Sequence, residues 1–309
     1  MAFTTVQGAS ATDAVTLTGT SGQDIATITT QSSGLFLDAK EADDVVTFSE
    51  SGNNYNARGM EGDDDFVANA RLTSSTVNGN VGNDHLTAEA GLFDSLIYGG
   101  KEIDTITAST LDEASALYGN IGNDIITVTA GMAAASNVYG GKNVDTITIG
   151  GEINASGIYG DLGNDQINLT SADLNAGSVV NGGQDDDAIT LAGVNTFAVS
   201  ASVFGGQGND TINAANSTGN VRAFGDLDND TITTGAGADN LNGGAGGDSL
   251  TGGTGTDQLV GAAGVDSLTA GAGTDTLTGG AGADVITGGA DADDITYSAV
   301  GDGGAFVDT

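Results

Sequence analysis

Apolar and polar residues alternate along this chain in short bursts that return at a set interval. In Asp124-Ile-Ile-Thr-Val-Thr, Ile126 and Val128 fall on one side of an extended segment, and Thr127 and Thr129 fall on the other. Each burst starts at an Asp with an apolar residue two places later. Asp24, Asp44, Asp64, Asp84, Asp104 and Asp124 stand 20 residues apart; Asp145, Asp165, Asp187, Asp210 and Asp230 follow at steps of 21, 20, 22, 23 and 20. From Asp239 through Asp248, Asp257, Asp266, Asp275, Asp284 and Asp293 the step is 9. The apolar position forms a column of its own: Val46, Phe66, Leu86, Ile106, Ile126, Ile147, Ile167, Ile189, Ile212 and Ile232, then Leu241 to Ile295 at the shorter step. Only the first repeat departs, with Ala26 there.

Before each Asp stands a glycine-rich turn, as in GNIGND (Gly119–Asp124), GDLGND (Gly160–Asp165), GGQGND (Gly205–Asp210) and GGAGAD (Gly279–Asp284). A turn followed by a strand with one narrow apolar face cannot stand alone, so each strand must stack on its copy in the next coil. The pattern predicts an all-β, parallel β-solenoid with coils of about 20 residues, then 18-residue coils of two nonapeptides each. We divide it at the change of period: 1–233 long coils, 234–295 nonapeptides continuing the same solenoid, and 296–309 a tail. Because Asp230 precedes Asp248 by 18 residues, Asp248, Asp266 and Asp284 should continue the Asp column of the long coils. Asp239, Asp257, Asp275 and Asp293 should line the opposite edge. In the long coils that edge carries small residues around an apolar anchor, such as Leu72, Leu92, Leu111, Met132, Ile153 or Leu174.

Composition sharpens this picture. Lys and Arg number 6 against 42 Asp and Glu, a net charge of -36, with no Cys, no Pro and a single His. That balance excludes a basic nucleic-acid surface, and the missing Cys excludes disulfides and zinc–thiolate centres. No apolar run approaches the ~18 residues of a membrane span. The missing Pro suits interior strands that must donate every N–H. Stacking, however, sets like carboxylates about one strand spacing apart. Two of them ~4.8 Å apart repel by ~1 kcal/mol in water and by ~3–4 at an effective dielectric of 20. A divalent cation between coils would reverse that sign, and carboxylates with turn carbonyls are the hard oxygen donors Ca²⁺ prefers.

The GGxGxD-x-[LI]-x nonapeptides of 234–295 resemble the repeats-in-toxin (RTX) calcium-binding β-roll, and the upstream turns resemble it over half of each coil. The resemblance implies a right-handed roll that binds several Ca²⁺ ions between successive turns. It implies as ligands Asp24, Asp64, Asp84, Asp124, Asp165, Asp187, Asp210, Asp230, Asp239, Asp248, Asp257, Asp266, Asp275 and Asp284. Some turns depart from the motif. AKEADD (Ala39–Asp44) lacks both glycines, and Asp291 replaces a motif glycine before Asp293. GGKEID and GGKNVD carry Lys101 and Lys142, which either substitute for part of a calcium site or are solvated turn lysines.

Tyr98, Tyr118, Tyr139, Tyr159, Phe204 and Phe224 form an outward column, either a contact surface for another molecule or a self-stacking ladder. His85 lacks the partners of a catalytic histidine, and the repeats consume nearly all of the chain, so no enzyme is expected. Neither 1–18 nor 296–309 reads as a capping helix, which suggests head-to-tail pairing of exposed ends. The expectation is a calcium-dependent extracellular or cell-surface structural protein that self-assembles into a filament or S-layer-like lattice. A cell-surface glycan or protein anchor is a further possible partner. MAFTTVQGAS shows no signal peptide, and the resemblance implies bacterial export by type I secretion. The alternatives are an RTX adhesin or spacer module and, less favoured, an ice-binding solenoid, which would want a row of identical Thr or Asx.

Overall fold

The computed structural model describes residues 16–29, 34–170, 173–192, 197–198, 200–296 and 306–307. Among these the secondary structure is all strand, with no helix. The chain divides into two compact units, Met1–Ile149 and Gly150–Thr309, and each is a stack of parallel coils. The ends, on which the head-to-tail expectation rests, lie almost wholly outside the described residues.

In the first unit one sheet is built from Phe36–Glu41, Asn56–Glu61, Thr76–Val81, Leu96–Lys101, Ala116–Ile121 and Asn137–Lys142. The facing sheet holds Val45–Phe48, Asp65–Ala68, His85–Ala88, Thr105–Asp112, Ile125–Met132 and Thr146–Ile149. Every neighbour is the same segment one coil away. Val46 pairs with Phe66, Phe66 with Leu86, Leu86 with Ile106, Ile106 with Ile126 and Ile126 with Ile147. This column is the core, at 0–2% exposure. Leu72, Leu92, Leu111 and Met132 close the far edge, also buried, as the spacing predicts.

The second unit contains the change of period, and its strands absorb it without losing register. Ile212 pairs with Ile232, Ile232 with Leu250, Leu250 with Leu268 and Leu268 with Ile286. The alternate nonapeptides enter the other sheet, where Ala223, Leu241, Leu259, Leu277 and Ile295 stack in turn. Two nonapeptides therefore occupy one coil, with one apolar column on each sheet.

The turn lacking glycine still forms, at a cost. Lys40 and Ala42 take φ of 82° and 89°, where a β-carbon is crowded and a non-glycine residue is destabilised by about 1 kcal/mol or more. Ala42→Gly is therefore expected to stabilise the chain by about 1 kcal/mol in thermal or urea unfolding. A destabilising Ala42→Gly would show that the β-carbon packs usefully there.

Candidate metal sites at the stacked turns

The column Asp is placed by two constraints. The turn brings it to the corner of the coil, and alternation from the apolar residue two places later points it inward. All the column aspartates from Asp24 to Asp284 are buried, at 0–3% exposure. Along two ladders, each carboxylate accepts the backbone N–H of the residue at the same place one coil earlier. In the first unit Asp44 N–H donates to Asp64 Oδ1, Asp64 to Asp84, Asp84 to Asp104 and Asp104 to Asp124, each at 2.8 Å. In the second unit the ladder runs Asp187, Asp210, Asp230, Asp248, Asp266, Asp284 at 2.8–3.0 Å. A separate ladder on the opposite edge links Val221, Asp239, Asp257, Asp275 and Asp293. The two Asp columns expected of the 18-residue coils are both present.

The other oxygen is left over. Oδ2 of Asp44, Asp64, Asp84, Asp104 and Asp124 in the first unit is buried without a donor. The same holds for Asp187, Asp210, Asp230, Asp239, Asp248, Asp257, Asp266, Asp275, Asp284 and Asp293 in the second. Its surroundings are other acceptors: a β-carbon at Gly261 would lie 2.4 Å from Asp266 Oδ2 and 2.5 Å from the Gly279 carbonyl oxygen. Burial drives several of these carboxyls upward and the ladder hydrogen bond opposes it; at Asp64, Asp104, Asp187, Asp230, Asp257 and Asp266 neighbouring column carboxylates add to the rise. Asp104 and Asp187 rise to about 8, Asp64 and Asp230 to about 7, and Asp84, Asp124, Asp210, Asp257 and Asp266 to about 6. Such a corner requires either a proton or a cation.

The donors present fit a hard cation. Among the described residues no group of three or more His, Cys, Asp or Glu converges on one point, so an ion would be held by one or two carboxylates completed by turn carbonyls. Those carbonyls are brought close by the glycine that admits no side chain. A β-carbon at Gly282 would lie 1.4 Å from the Gly264 carbonyl oxygen and 3.3 Å from Asp284 Oδ1. At Gly122 it would lie 1.5 Å from the Glu102 carbonyl oxygen and 2.8 Å from Asp124 Oδ1. Backbone carbonyls and a carboxylate thus meet between consecutive coils, a set suited to Ca²⁺. Bound there, calcium would supply the positive charge that the acidic corner lacks.

Two further ladders were not read from the sequence. At the opposite edge of the long coils the corner residue is Ser: Tyr55 N–H donates to Ser75 Oγ, Ser75 to Ser95 and Ser95 to Ser115, at 3.0–3.2 Å. Ser75 and Ser95 each donate in turn to a carbonyl, of Thr73 and Phe93. A neutral hydroxyl is satisfied on both sides, so this edge generates no demand for a cation. The signal was the recurrence of Ser75, Ser95 and Ser115 at a 20-residue step. Outside the Asp corner runs an Asx ladder of opposite polarity, in which the later coil donates. Asp63 N–H donates to Asp43 Oδ1 and Asn83 N–H to Asp63 Oδ1 in the first unit, and Asn229 N–H to Asn209 Oδ1 in the second. This explains the Asn of the GND turns.

Ile103 and Val144 interrupt that outer ladder in the two lysine turns; their N–H groups still donate, to Asn83 and Asn123, but they offer no side-chain oxygen. Lys101 and Lys142 are exposed. The ion pairs found among the described residues, Arg71–Asp112 and His85–Asp65, include neither lysine, and Asp104 Oδ2 stays without a donor. Asp24 differs from the column in a second way, since its Oδ2 accepts from Thr20. His85 sits at the surface with Nδ1 3.2 Å from Asp65 Oδ1.

The aromatic column is half-buried and self-stacked. Ring centroids of Tyr98 and Tyr118 lie 4.7 Å apart and those of Tyr118 and Tyr139 4.9 Å apart, with interplanar angles of 11° and 5°. In the second unit Phe204 and Phe224 stack at 5.0 Å.

The RTX calcium-binding nonapeptide repeat matches residues 74–92, 202–218, 224–259, 233–268 and 260–295. The last three overlap across the whole section in which both edges carry Asp. No curated protein matches the chain. With calcium-binding repeats at these positions and parallel stacked coils around them, the chain fits the RTX β-roll family.

Proposed function

We propose that this chain is an extracellular, calcium-stabilised structural solenoid that assembles with copies of itself into a filament or S-layer-like lattice. The observation that carries the reading is the row of buried Oδ2 atoms facing acceptors at the matched repeats. Calcium ions held by the Asp column from Asp24 to Asp284 and by the intervening turn carbonyls would turn each repelling corner into a bridge between coils. The Ser edge of the first unit would need none. Calcium in the millimolar range outside cells suits weak sites of this kind, and export as an unfolded, self-repelling chain through type I secretion suits a cell interior low in calcium. Among the described residues no helix is long and apolar enough to cross a membrane.

Large apolar side chains left in water support lateral contacts. Ile103, Ile121, Ile125 and Val144 are 43–52% exposed around the Asp corner of the first unit, and Val265 is 65% exposed in the second. Electron microscopy of the purified chain in millimolar calcium is expected to show ordered filaments or arrays that vanish on chelation. Dispersed folded particles at every calcium concentration would refute assembly and leave an adhesin or spacer module.

A further inference from the structure

The ring ladder of the second unit is interrupted. Register places Tyr159, Asn181, Phe204 and Phe224 in successive coils, so a carboxamide stands on a rung whose neighbours carry rings. Beside that rung the surface opens into a groove of about 410 Å³. Tyr159 walls it, Gln184 and Gln207 flank it, and Asp161 and Asp226 stand at its two ends. Those aspartates are three coils apart in register, or about 14 Å at the spacing of neighbouring strands.

The groove is a built feature, because its floor cannot fill. Between Asp161 and Asp226 the floor is Gly183 and Gly206, both at φ +122°. A β-carbon would meet the Asp161 carbonyl oxygen at 2.3 Å at the first and the Gly183 carbonyl oxygen at 2.2 Å at the second. Asn181 Oδ1, at the base, is shut off from solvent and accepts no hydrogen bond.

The lining selects by chemistry. An anion is repelled by a chain of net charge -36. A purely apolar guest would cover the exposed amides of Gln184 and Gln207 without pairing them. A polyhydroxylated ring satisfies both. Its C–H face packs on Tyr159, its hydroxyls donate to the end carboxylates, and the glutamine amides both donate and accept. We propose that this groove is a binding site for a short neutral saccharide, entering the slot where Asn181 replaces a ring. It would place a glycan contact on the second unit whether or not the chain assembles with itself.

The test uses the full chain loaded with calcium and saturation-transfer NMR. The probes are cellobiose, maltose and N,N′-diacetylchitobiose at millimolar concentration, with glucose 1-phosphate and spermidine as anionic and cationic controls. At least one of the three disaccharides is expected to receive saturation from the wild type, and glucose 1-phosphate none. Asn181→Phe restores the ring found at Phe204 and Phe224, and should weaken binding at least about tenfold while circular dichroism stays unchanged. Should that variant fold poorly, the double variant Gln184→Ala, Gln207→Ala alters only exposed side chains and should give a comparable loss. Silence from all three disaccharides overturns the proposal. So does undiminished binding in the filled or amide-stripped groove, or binding of spermidine in preference to every saccharide.

Discussion

Chelation of calcium at neutral pH is expected to abolish the β-sheet circular dichroism of this chain, and calcium returned in excess is expected to restore it. Among the described residues of the second unit, ten column carboxylates have a buried Oδ2 that meets no donor. Leaving a buried polar atom unsatisfied costs about 1–3 kcal/mol, and more if it is charged. Even the lower figure, taken ten times, is of the order of the 5–15 kcal/mol by which a whole domain is stable. Repulsion between successive carboxylates adds to it. Without counter-charge the ionised ladder therefore outweighs the apolar columns, and metal binding becomes part of the folding free energy. Magnesium is expected to substitute poorly, because it demands near-octahedral geometry and dehydrates reluctantly. Cooperative unfolding of the fully chelated chain at neutral pH and low salt, with a midpoint close to that of the calcium-loaded chain, would overturn the account.

Acid should replace calcium. In chelator, lowering the pH from about 8 towards 4 is expected to fold the chain, opposite to ordinary acid denaturation. Asp84 lies at about 6, Asp64 at about 7, and Asp104 and Asp187 at about 8 in the folded chain, against 3.8 for an Asp carboxyl in water. Between those limits the folded state binds more protons than the unfolded state, so stability decreases as pH rises. The stabilisation from these groups is complete below the unfolded value and is lost as pH climbs through the folded values. Usual acid unfolding breaks carboxylates out of ion pairs such as Arg71–Asp112 and His85–Asp65. The whole chain has 6 Lys and Arg, too few for strong cationic repulsion in acid. With calcium bound the order inverts, since the metal needs the carboxylates ionised and acid should release it. Far-UV circular dichroism against pH, with and without calcium, checks both halves. A metal-free chain equally unfolded at pH 5 and pH 8 would contradict the buried ladder.

The repeat made much of this legible before any coordinates. The Asp step of 20, then 9, predicts which residues become neighbours, and Ile232 indeed stacks on Leu250 across the change of period. Stacking also follows for the tyrosines. The serine edge was not legible, although its period equals that of the aspartates. Ser75 and Ser95 are common residues in a Ser- and Thr-rich background, and only burial distinguishes them. The Asn of GND was visible as a pattern, but its role as acceptor for the next coil was not.

Periodicity along the chain thus decided the fold class, the register and the acidic corner, because a strand with one apolar face has a single way to bury it, against its own copy. Which oxygen each Asp commits, which edge is neutral, and where a groove opens beside Asn181 were decided only by the tertiary structure. Those outcomes depend on distances between atoms in neighbouring coils, set by backbone turns and steric exclusion, which residue order does not encode locally.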